Sequence, residues 1–270
     1  MEGKQYCNGS VLRACFILDL FTPAKNEWTL KEISAKCEQS PNTTLPLLKA
    51  LETTGFLERN SETKAYRLGM KFVEKGQIKL NSLDIISCSG PYLKKISEQF
   101  GLTTHLGMLD RGEIVYLSRY AAKLHSLVPS HVGKRVPVYC SALGKALIAY
   151  LSPEQTDRLL SELHFHQYTA KTIRDVETLK QSLAEVRSRG YAIDDEEHQN
   201  GSYCIGVPIF SSAGTVCASI SASAVKTEEN VKMIPELIDV MLAIGAEISA
   251  GMGYTVKKIT SPALRPSGEG

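Results

Sequence analysis

The sequence predicts an α/β (α+β) protein of two domains. Its 270 residues are about twice the length of a common domain. Three helical segments and a short hairpin fill the first 70 residues, whereas pairs of strand-type segments alternate with helices after residue 102. This change of pattern separates a small, mostly helical domain from a larger one built on a mainly antiparallel sheet.

Composition excludes several classes of protein. Charged residues make up 22% and hydrophobic residues 43% of the chain, which is typical of globular proteins rather than disordered or fibrous ones. No apolar run approaches the roughly 18 residues that cross a bilayer, and the polar N-terminus predicts no signal peptide. Seven scattered cysteines without CxxC spacing argue against a disulfide framework or a zinc ribbon and predict reduced thiols in a cytoplasmic protein.

The charge distribution is only weakly informative. Residues 1–75 hold 11 Lys and Arg against 9 Asp and Glu, so they carry the whole net charge of +2. This small excess is compatible with nucleic-acid binding by the N-terminal part, but it is not diagnostic.

Three amphipathic segments predict the helices of the N-terminal domain. The first spans 10–21, with Ser10 as its N-cap. The second begins at Thr29, because Thr29 and Glu32 have the spacing of a capping box. The third follows a short polar connection and continues to Thr54.

A predicted hairpin completes this domain. Strand-type segments at 56–59 and 64–68 flank the turn sequence NSET. Helix, turn, helix and hairpin within 70 residues are typical of a winged helix-turn-helix. A helical segment at 70–86 then predicts a linker, and a separate helix is predicted over Pro91–Phe100.

The remainder of the chain alternates strands and helices. Predicted strands cover 105–109, 113–119, 125–129, 203–210 and 215–221. Predicted helices cover 141–151, a segment that opens at Ser152-Pro153, 172–189 and 228–251. The tail at 261–270 shows no apolar periodicity.

Four stretches resemble the IclR family of bacterial transcriptional regulators, and together they span nearly the whole chain. They are the winged helix-turn-helix of 10–69, GKRVPVYCSALGKA at 133–146, RGYAIDDEE at 189–197 and GSYCIGVPI at 201–209. The resemblance implies a DNA-binding domain at 1–69, a helical linker at 70–86, a GAF- or PAS-like effector-binding domain at 87–260 and a flexible tail at 261–270.

The same resemblance implies a function. It implies a ligand-responsive transcriptional regulator that binds double-stranded operator DNA and represses a catabolic operon. It also implies that the C-terminal domain binds a small keto or sugar acid and that the protein forms a homodimer or homotetramer. No cofactor is implied.

Residues of the third helix and of the hairpin are the candidates for DNA contact, because the second helix of a helix-turn-helix enters the major groove. They are Ser40, Asn42, Thr43, Thr44, Lys49, Arg59, Lys64 and Arg67. Serine and threonine at a helix start can equally serve as caps, and the hairpin cations can equally form an ordinary solvated face.

The chain departs from the family pattern at Pro46, where an arginine is usual if Thr43 is aligned with the family threonine. Proline costs roughly 3 kcal/mol in a helix interior but little in a first turn. We therefore expect the reading helix to start late, capped near Asn42 or Thr43. Pro46 also keeps an alternative open, in which DNA binding has decayed and the protein is a small-molecule sensor that acts through protein partners.

The resemblance places the effector against the start of a helix, where backbone N–H groups and the helix dipole favour a carboxylate. The implied contacts are Ala142, Leu143, Asp194, Cys204, Val128 and His125. His125 stands where the family wall is commonly apolar. It adds a donor for a hydroxylated ligand, or it is a structural histidine.

Other residue groups imitate catalytic or metal sites without a supporting signature. Asp194, His198 and Cys204 have the residue types of a nucleophile system, but no flanking motif accompanies them. The acidic run at 194–197 fits a solvated loop better than a cation site, because consecutive carboxylates usually point in different directions. The sequence thus predicts no catalytic residue, no metal and no enzymatic activity.

Overall fold

The computed structural model describes residues 8–121 and 130–255. The chain divides into two compact units, Met1–Ser82 and Leu83–Gly270. No helix in the described ranges is long and apolar enough to cross a membrane.

The N-terminal unit has the predicted winged helix-turn-helix fold. Its elements are α1 (Gly9–Asp19), α2 (Leu30–Lys36), α3 (Pro41–Thr53), β1 (Leu57–Arg59), β2 (Tyr66–Leu68) and α4 (Lys71–Asn81). The antiparallel hairpin β1–β2 is extended by Trp28, which exchanges backbone hydrogen bonds with Tyr66. Buried Ile17, Ile33 and Leu48 bring α1, α2 and α3 around this hairpin.

Local hydrogen bonds define the ends of the first two helices. The predicted capping box is confirmed, since the Thr29 hydroxyl accepts the Glu32 N–H at 3.3 Å and the Glu32 carboxylate accepts the Thr29 N–H at 2.8 Å. The prediction of Ser10 as the cap of α1 is wrong. Asn8 is the N-cap, because its side-chain oxygen accepts the Ser10 N–H at 3.0 Å.

The late start expected for the third helix is also wrong. Helix α3 begins at Pro41, with Ser40 as N-cap, and continues through Pro46. Ser40 accepts the Thr43 N–H, and proline at the first helical position suits the helix geometry. Pro46 is the sixth residue of α3 and lies on its exposed side. The helix therefore continues past a residue that has no backbone N–H to donate.

The helix predicted at 70–86 is interrupted. Helix α4 ends at Asn81, and α5 (Asp84–Phe100) begins three residues later. The start predicted at Pro91 is therefore wrong, since Pro91 lies inside α5 on its exposed side.

The C-terminal unit is built on a six-stranded antiparallel sheet with the strand order β5-β4-β3-β8-β7-β6. The strands are β3 (Thr103–Asp110), β4 (Glu113–Tyr120), β5 (Arg135–Pro137), β6 (Ala192–Asp195), β7 (Ser202–Phe210) and β8 (Val216–Val225). The helices that follow α5 are α6 (Ala142–Ile148), α7 (Pro153–Glu162), α8 (Val176–Arg189), α9 (Glu228–Lys232) and α10 (Ile234–Gly251).

Several of these elements differ from the sequence predictions. Strands β5 and β6 were not predicted, the final helix is divided into α9 and α10, and α8 begins at Val176 because Asp175 caps it. The strand predicted at 125–129 lies outside the described residues.

Helices cover both faces of the sheet. Side chains of α5 and α10 pack with alternate residues of the central strands, including Leu106, Ile205 and Ile220. Helix α6 lies near the opposite face, where the Ser219 hydroxyl donates to the Leu143 carbonyl at 2.9 Å. This second face carries the candidate effector site.

Candidate functional sites

The exposed side of α3 carries several of the predicted DNA contacts. Asn42, Thr43 and Lys49 are exposed there, and Pro46 lies among them. In the described residues Lys49 forms no ion pair, so its ammonium is available to a phosphate. Ser40 is exposed as well, but its hydroxyl already caps α3.

Thr44 cannot contact DNA as predicted. Its side chain is fully buried, and its hydroxyl donates to the Ser40 carbonyl at 3.2 Å. Thr44 lies on the face of α3 that also buries Leu48 and Leu51. Thr44 therefore belongs to the core of the domain, and its prediction as a DNA contact is wrong.

The three cations of the hairpin are exposed, but each has a partner within the hairpin. Arg67 pairs with Glu58 at 3.1 Å, and the Arg59 side chain donates to the Lys64 carbonyl at 3.3 Å. Lys64 itself donates to the Ser61 carbonyl. Exposed pairs of this kind contribute little to stability, so a phosphate can replace them at small cost.

A cavity of about 460 Å³ opens on the sheet face near α6. Ala142, Leu143, Asp194 and Cys204 all line it, so the structure brings four of the predicted effector contacts together. The other two, His125 and Val128, lie outside the described residues. The cavity has the size of a site for a small metabolite.

Polar side chains from neighbouring strands form a row across the floor of this cavity. Asp194 pairs with Cys204 across β6 and β7, and Cys204 pairs with Ser223 across β7 and β8. Because directly paired residues in antiparallel strands point to the same face, these groups converge although they are far apart in sequence.

The start of α6 offers two backbone donors. Ser141 caps the helix by accepting the Gly144 N–H at 3.1 Å, whereas the N–H groups of Ala142 and Leu143 donate to no group in the described residues. A Cβ at Gly206 would lie 2.4 Å from the Ala142 carbonyl oxygen, so only glycine at this point of β7 lets the turn approach the sheet so closely.

The Asp194 carboxyl is buried and held by the loop that follows β6. Its side chain is 3% exposed and accepts the Glu197 N–H at 2.8 Å. Burial and the nearby Glu197 carboxylate raise the pKa of Asp194 to about 7. Near neutral pH this carboxyl exchanges between a neutral donor and a charged acceptor.

The thiol of Cys204 has none of the features of a nucleophile. Burial and the Asp194 carboxylate raise its pKa well above the usual range, so the reactive thiolate is disfavoured. Burial likewise lowers the pKa of His198. In the described residues, no group of three or more His, Cys, Asp and Glu is arranged to hold a metal ion.

Several polar residues of the cavity are not predicted by the sequence patterns. His105 and Ser130 line it, as do Ser221 and Ser223 of β8. Ser221 and Ser223 alternate along a strand whose other face is apolar, which was the one available signal. Nothing in the local sequence marks His105 as a cavity residue, because strand pairing determines which residues lie beside it.

Comparisons with known proteins agree with this architecture. Residues 10–61 match the IclR helix-turn-helix domain, and residues 77–250 match the family described as bacterial transcriptional regulator IclR C-terminal. The chain is 36% identical to the HTH-type transcriptional regulator XynR of Escherichia coli (strain K12), over 91% of this chain and 97% of that protein. It is 30% identical to KdgR of the same organism, over 91% and 93% of the two chains. The crystal structure of Thermotoga maritima IclR superposes with a TM-score of 0.74 at 31% identity, covering 91% of this chain and 99% of that one.

Proposed function

The chain belongs to the IclR family of bacterial transcriptional regulators, and we propose that it is a repressor of a catabolic operon whose DNA binding responds to a small keto or sugar acid. The cavity near α6 carries this proposal. Backbone N–H groups that have no partner in the described residues lie beside a row of hydroxyl, thiol and carboxyl groups there. This arrangement fits an anionic, oxygen-rich ligand rather than an apolar one.

In the proposed complex, the N–H groups of Ala142 and Leu143 bind the carboxylate of the effector. Asp194 binds a hydroxyl group, since it can accept from or donate to such a group near its pKa. Cys204 contributes to the shape of the cavity, and its thiol is a weak hydrogen-bond donor. The raised pKa of its thiol supports a binding role rather than catalysis.

The proposed DNA contacts are Asn42, Thr43 and Lys49 of α3, with the exposed hairpin cations Arg59, Lys64 and Arg67 on phosphates. Ser40 is retained only as a cap that orients Thr43. A regulator of this kind acts in the cytoplasm, where it meets chromosomal DNA.

We also propose that the protein is a homodimer or homotetramer. Val11, Leu12 and Phe16 of α1 and Val73 and Ile78 of α4 expose between 46% and 62% of their surface. Five large apolar side chains that are exposed within one unit favour a protein interface. Light scattering coupled to size exclusion measures the oligomeric state directly.

Fluorescence anisotropy tests the regulatory function. Labelled DNA from upstream of the protein's own gene is titrated with the full chain, then with pyruvate, D-gluconate, D-glucuronate, benzoate or 4-hydroxybenzoate. We expect binding that weakens steeply with salt and is released by one class of acid. Binding that is independent of salt, or that no acid changes, contradicts the proposal.

One observation favours a second candidate function. Pro46 occupies the middle of the exposed face of α3 and supplies neither a cation nor an N–H. A sensor that has lost operator binding and acts through protein partners would show effector binding with no specific DNA binding in the same titration.

A further inference from the structure

The acidic run at 194–197 divides between the inside and the surface of the C-terminal unit. Asp194 is buried and lines the cavity, and only 13% of the Glu197 side chain is exposed. Asp195 and Glu196 lie nearer the surface, where both form ion pairs with lysines. The run therefore connects the floor of the cavity to a group of charges at the surface.

Two lysines share the carboxylates of Asp195 and Glu196. The Lys226 ammonium donates to the Asp195 carboxylate and lies 3.0 Å from that of Glu196. The Lys171 ammonium lies 3.2 Å and 2.7 Å from the same two carboxylates. Ion pairs near the surface are individually weak and are screened by salt, so each of these pairs can separate at small cost.

Lys171 belongs to a segment that is fixed to the loop after β6 even without its ion pairs. The buried Thr169 hydroxyl donates to the Glu196 carbonyl at 2.6 Å. The buried Thr172 hydroxyl donates to the Glu197 carbonyl at 2.7 Å. These bonds carry no charge, so salt or loss of the Lys171 ammonium leaves this side of the cavity in place.

Lys226 begins a thin segment, residues 226–233, that contains α9 and forms one wall of the cavity. The residues of this segment that line the cavity are Thr227, Glu229, Asn230 and Met233. Four of the five residues of α9 are also exposed, and the fifth is half-buried. One short helix thus separates the cavity from solvent, and a segment with so little buried surface has low local stability.

Both ends of this segment are junctions between elements. Just beyond the end of β8, the Lys226 N–H donates to the Gly201 carbonyl at 2.8 Å. At the other end, Pro235 has no N–H to donate to the Val231 carbonyl, so α9 does not continue into α10. Met233 forms the junction between the two helices. The segment can therefore move about Met233 once its first residues are released.

We propose that residues 226–233 form a lid over the cavity, and that the ion pairs of Lys226 with Asp195 and Glu196 hold this lid closed. Opening begins when the ammonium leaves the two carboxylates, and it admits a ligand to the cavity. The inference rests on the proposed effector cavity. Its tests use no effector, so its failure and the failure of the proposed function are distinguishable.

Hydrogen exchange of the full chain, measured by mass spectrometry, tests whether the Lys226 pairs close the lid. We expect Lys226→Met to speed exchange of the backbone amides of 227–233 by about 3- to 10-fold. Lys171→Met is the matched control, because it removes a cation from the same two carboxylates and leaves the lid attached. Raising NaCl from about 0.05 to about 0.5 M should speed this exchange in the parent but not in Lys226→Met.

Thiol labelling tests whether this movement opens the cavity. Cys204 lines the cavity, whereas Cys217 packs with the core on the opposite face of the sheet and serves as an internal control. With methyl methanethiosulfonate at constant pH, we expect Lys226→Met to be labelled at Cys204 about 3- to 10-fold faster than the parent, and at Cys217 equally fast. Thermal unfolding of each variant controls for folding.

Three results overturn the inference. One is exchange of 227–233 that is the same in Lys226→Met as in the parent, or that Lys171→Met speeds equally. Another is faster exchange without faster labelling of Cys204, because the segment then moves without opening the cavity. The third is a Cys204 thiol that stays unlabelled in the parent and in both variants. None of these results depends on which ligand the cavity binds.

Discussion

Lys145 of α6 and Glu197 of the loop after β6 form an ion pair in the interior of the C-terminal unit. Only 2% of the lysine side chain and 13% of the glutamate side chain are exposed. The pair joins the helix that presents the Ala142 and Leu143 donors to the loop whose N–H binds Asp194. This ion pair thus connects the two sides of the cavity near α6.

We expect Glu197→Gln to lower the free energy of unfolding by about 3 kcal/mol, because it removes the carboxylate in contact with the buried Lys145 ammonium and leaves only the more distant Asp194 carboxyl as a counter-charge. Lys145→Met should cost less, since burial raises the pKa of Glu197 and the carboxyl can be protonated instead. Urea unfolding of the single variants and of the double variant measures these effects. A double variant whose loss equals the sum of the single losses contradicts a direct pair.

Asp194→Asn should change the pH dependence of stability. Because the pKa of Asp194 is about 7 when folded and near 3.8 when unfolded, the native state holds the extra proton between these values. Its contribution to stability is therefore fully present below about pH 4 and is lost as the pH rises to 7. The variant lacks this loss, so its stability relative to the parent should rise between about pH 4 and pH 7, by at most about 1.4 kcal/mol per pH unit, and should stay level above pH 7. A constant difference between the two proteins contradicts the shift.

The same residue gives a matched binding test. An asparagine oxygen can still accept the Glu197 N–H, whereas leucine cannot. Affinity for a bound acid should therefore be retained better in Asp194→Asn than in Asp194→Leu, and the reverse order excludes Asp194 as a polar ligand contact.

Gly206→Ala should displace the turn before α6. The added Cβ would lie 2.4 Å from the Ala142 carbonyl oxygen and 3.1 Å from the Leu143 nitrogen, so the two effector donors must move. If the proposed contacts hold, we expect weaker binding of the acid, and we expect lower stability in either case. Gly76→Ala in α4 is the control, because a Cβ there meets nothing within 4 Å and should stabilise the helix by up to about 1 kcal/mol. Unchanged acid binding in Gly206→Ala would place the ligand elsewhere.

Local sequence patterns predict much of the secondary structure, whereas tertiary contacts determine which residues line the candidate sites. The Thr29–Glu32 capping box depends on residues three apart, and it occurs as predicted. Thr44 has the same residue type as its exposed neighbour Thr43, and only the packing of α3 shows that it is buried. His105 meets Ser221 through strand pairing across more than 100 residues, a relationship that no local pattern reveals.

Releasing Arg67 should strengthen DNA binding. Glu58 pairs with Arg67 at 3.1 Å and places a negative charge on the hairpin proposed to face phosphates. We expect Glu58→Gln to raise affinity for all DNA sequences about equally, because phosphate contacts do not read sequence. Anisotropy titrations at several salt concentrations measure this gain. Glu27→Gln, also an exposed carboxylate of the N-terminal unit, controls for net charge, and an equal gain there argues against a specific role for the hairpin.

Pro46 provides the sharpest test of how α3 contacts DNA. It lies in the helix interior, where a missing N–H and a clash with the preceding turn destabilise the helix, and its ring is exposed between Asn42 and Lys49. Pro46→Ala should restore the hydrogen bond and raise the free energy of unfolding by about 1–3 kcal/mol. Pro46→Arg should restore it as well and add a cation on the proposed reading face.

Comparison of these two variants separates helix repair from phosphate contact. Both should be more stable than the parent, but only Pro46→Arg should also steepen the dependence of DNA affinity on salt, by about one unit of the log–log slope. This follows because each neutralised phosphate releases its condensed counterion. If Pro46→Arg and Pro46→Ala bind DNA with the same affinity and the same slope, position 46 does not face the phosphates, and the orientation proposed for α3 is wrong.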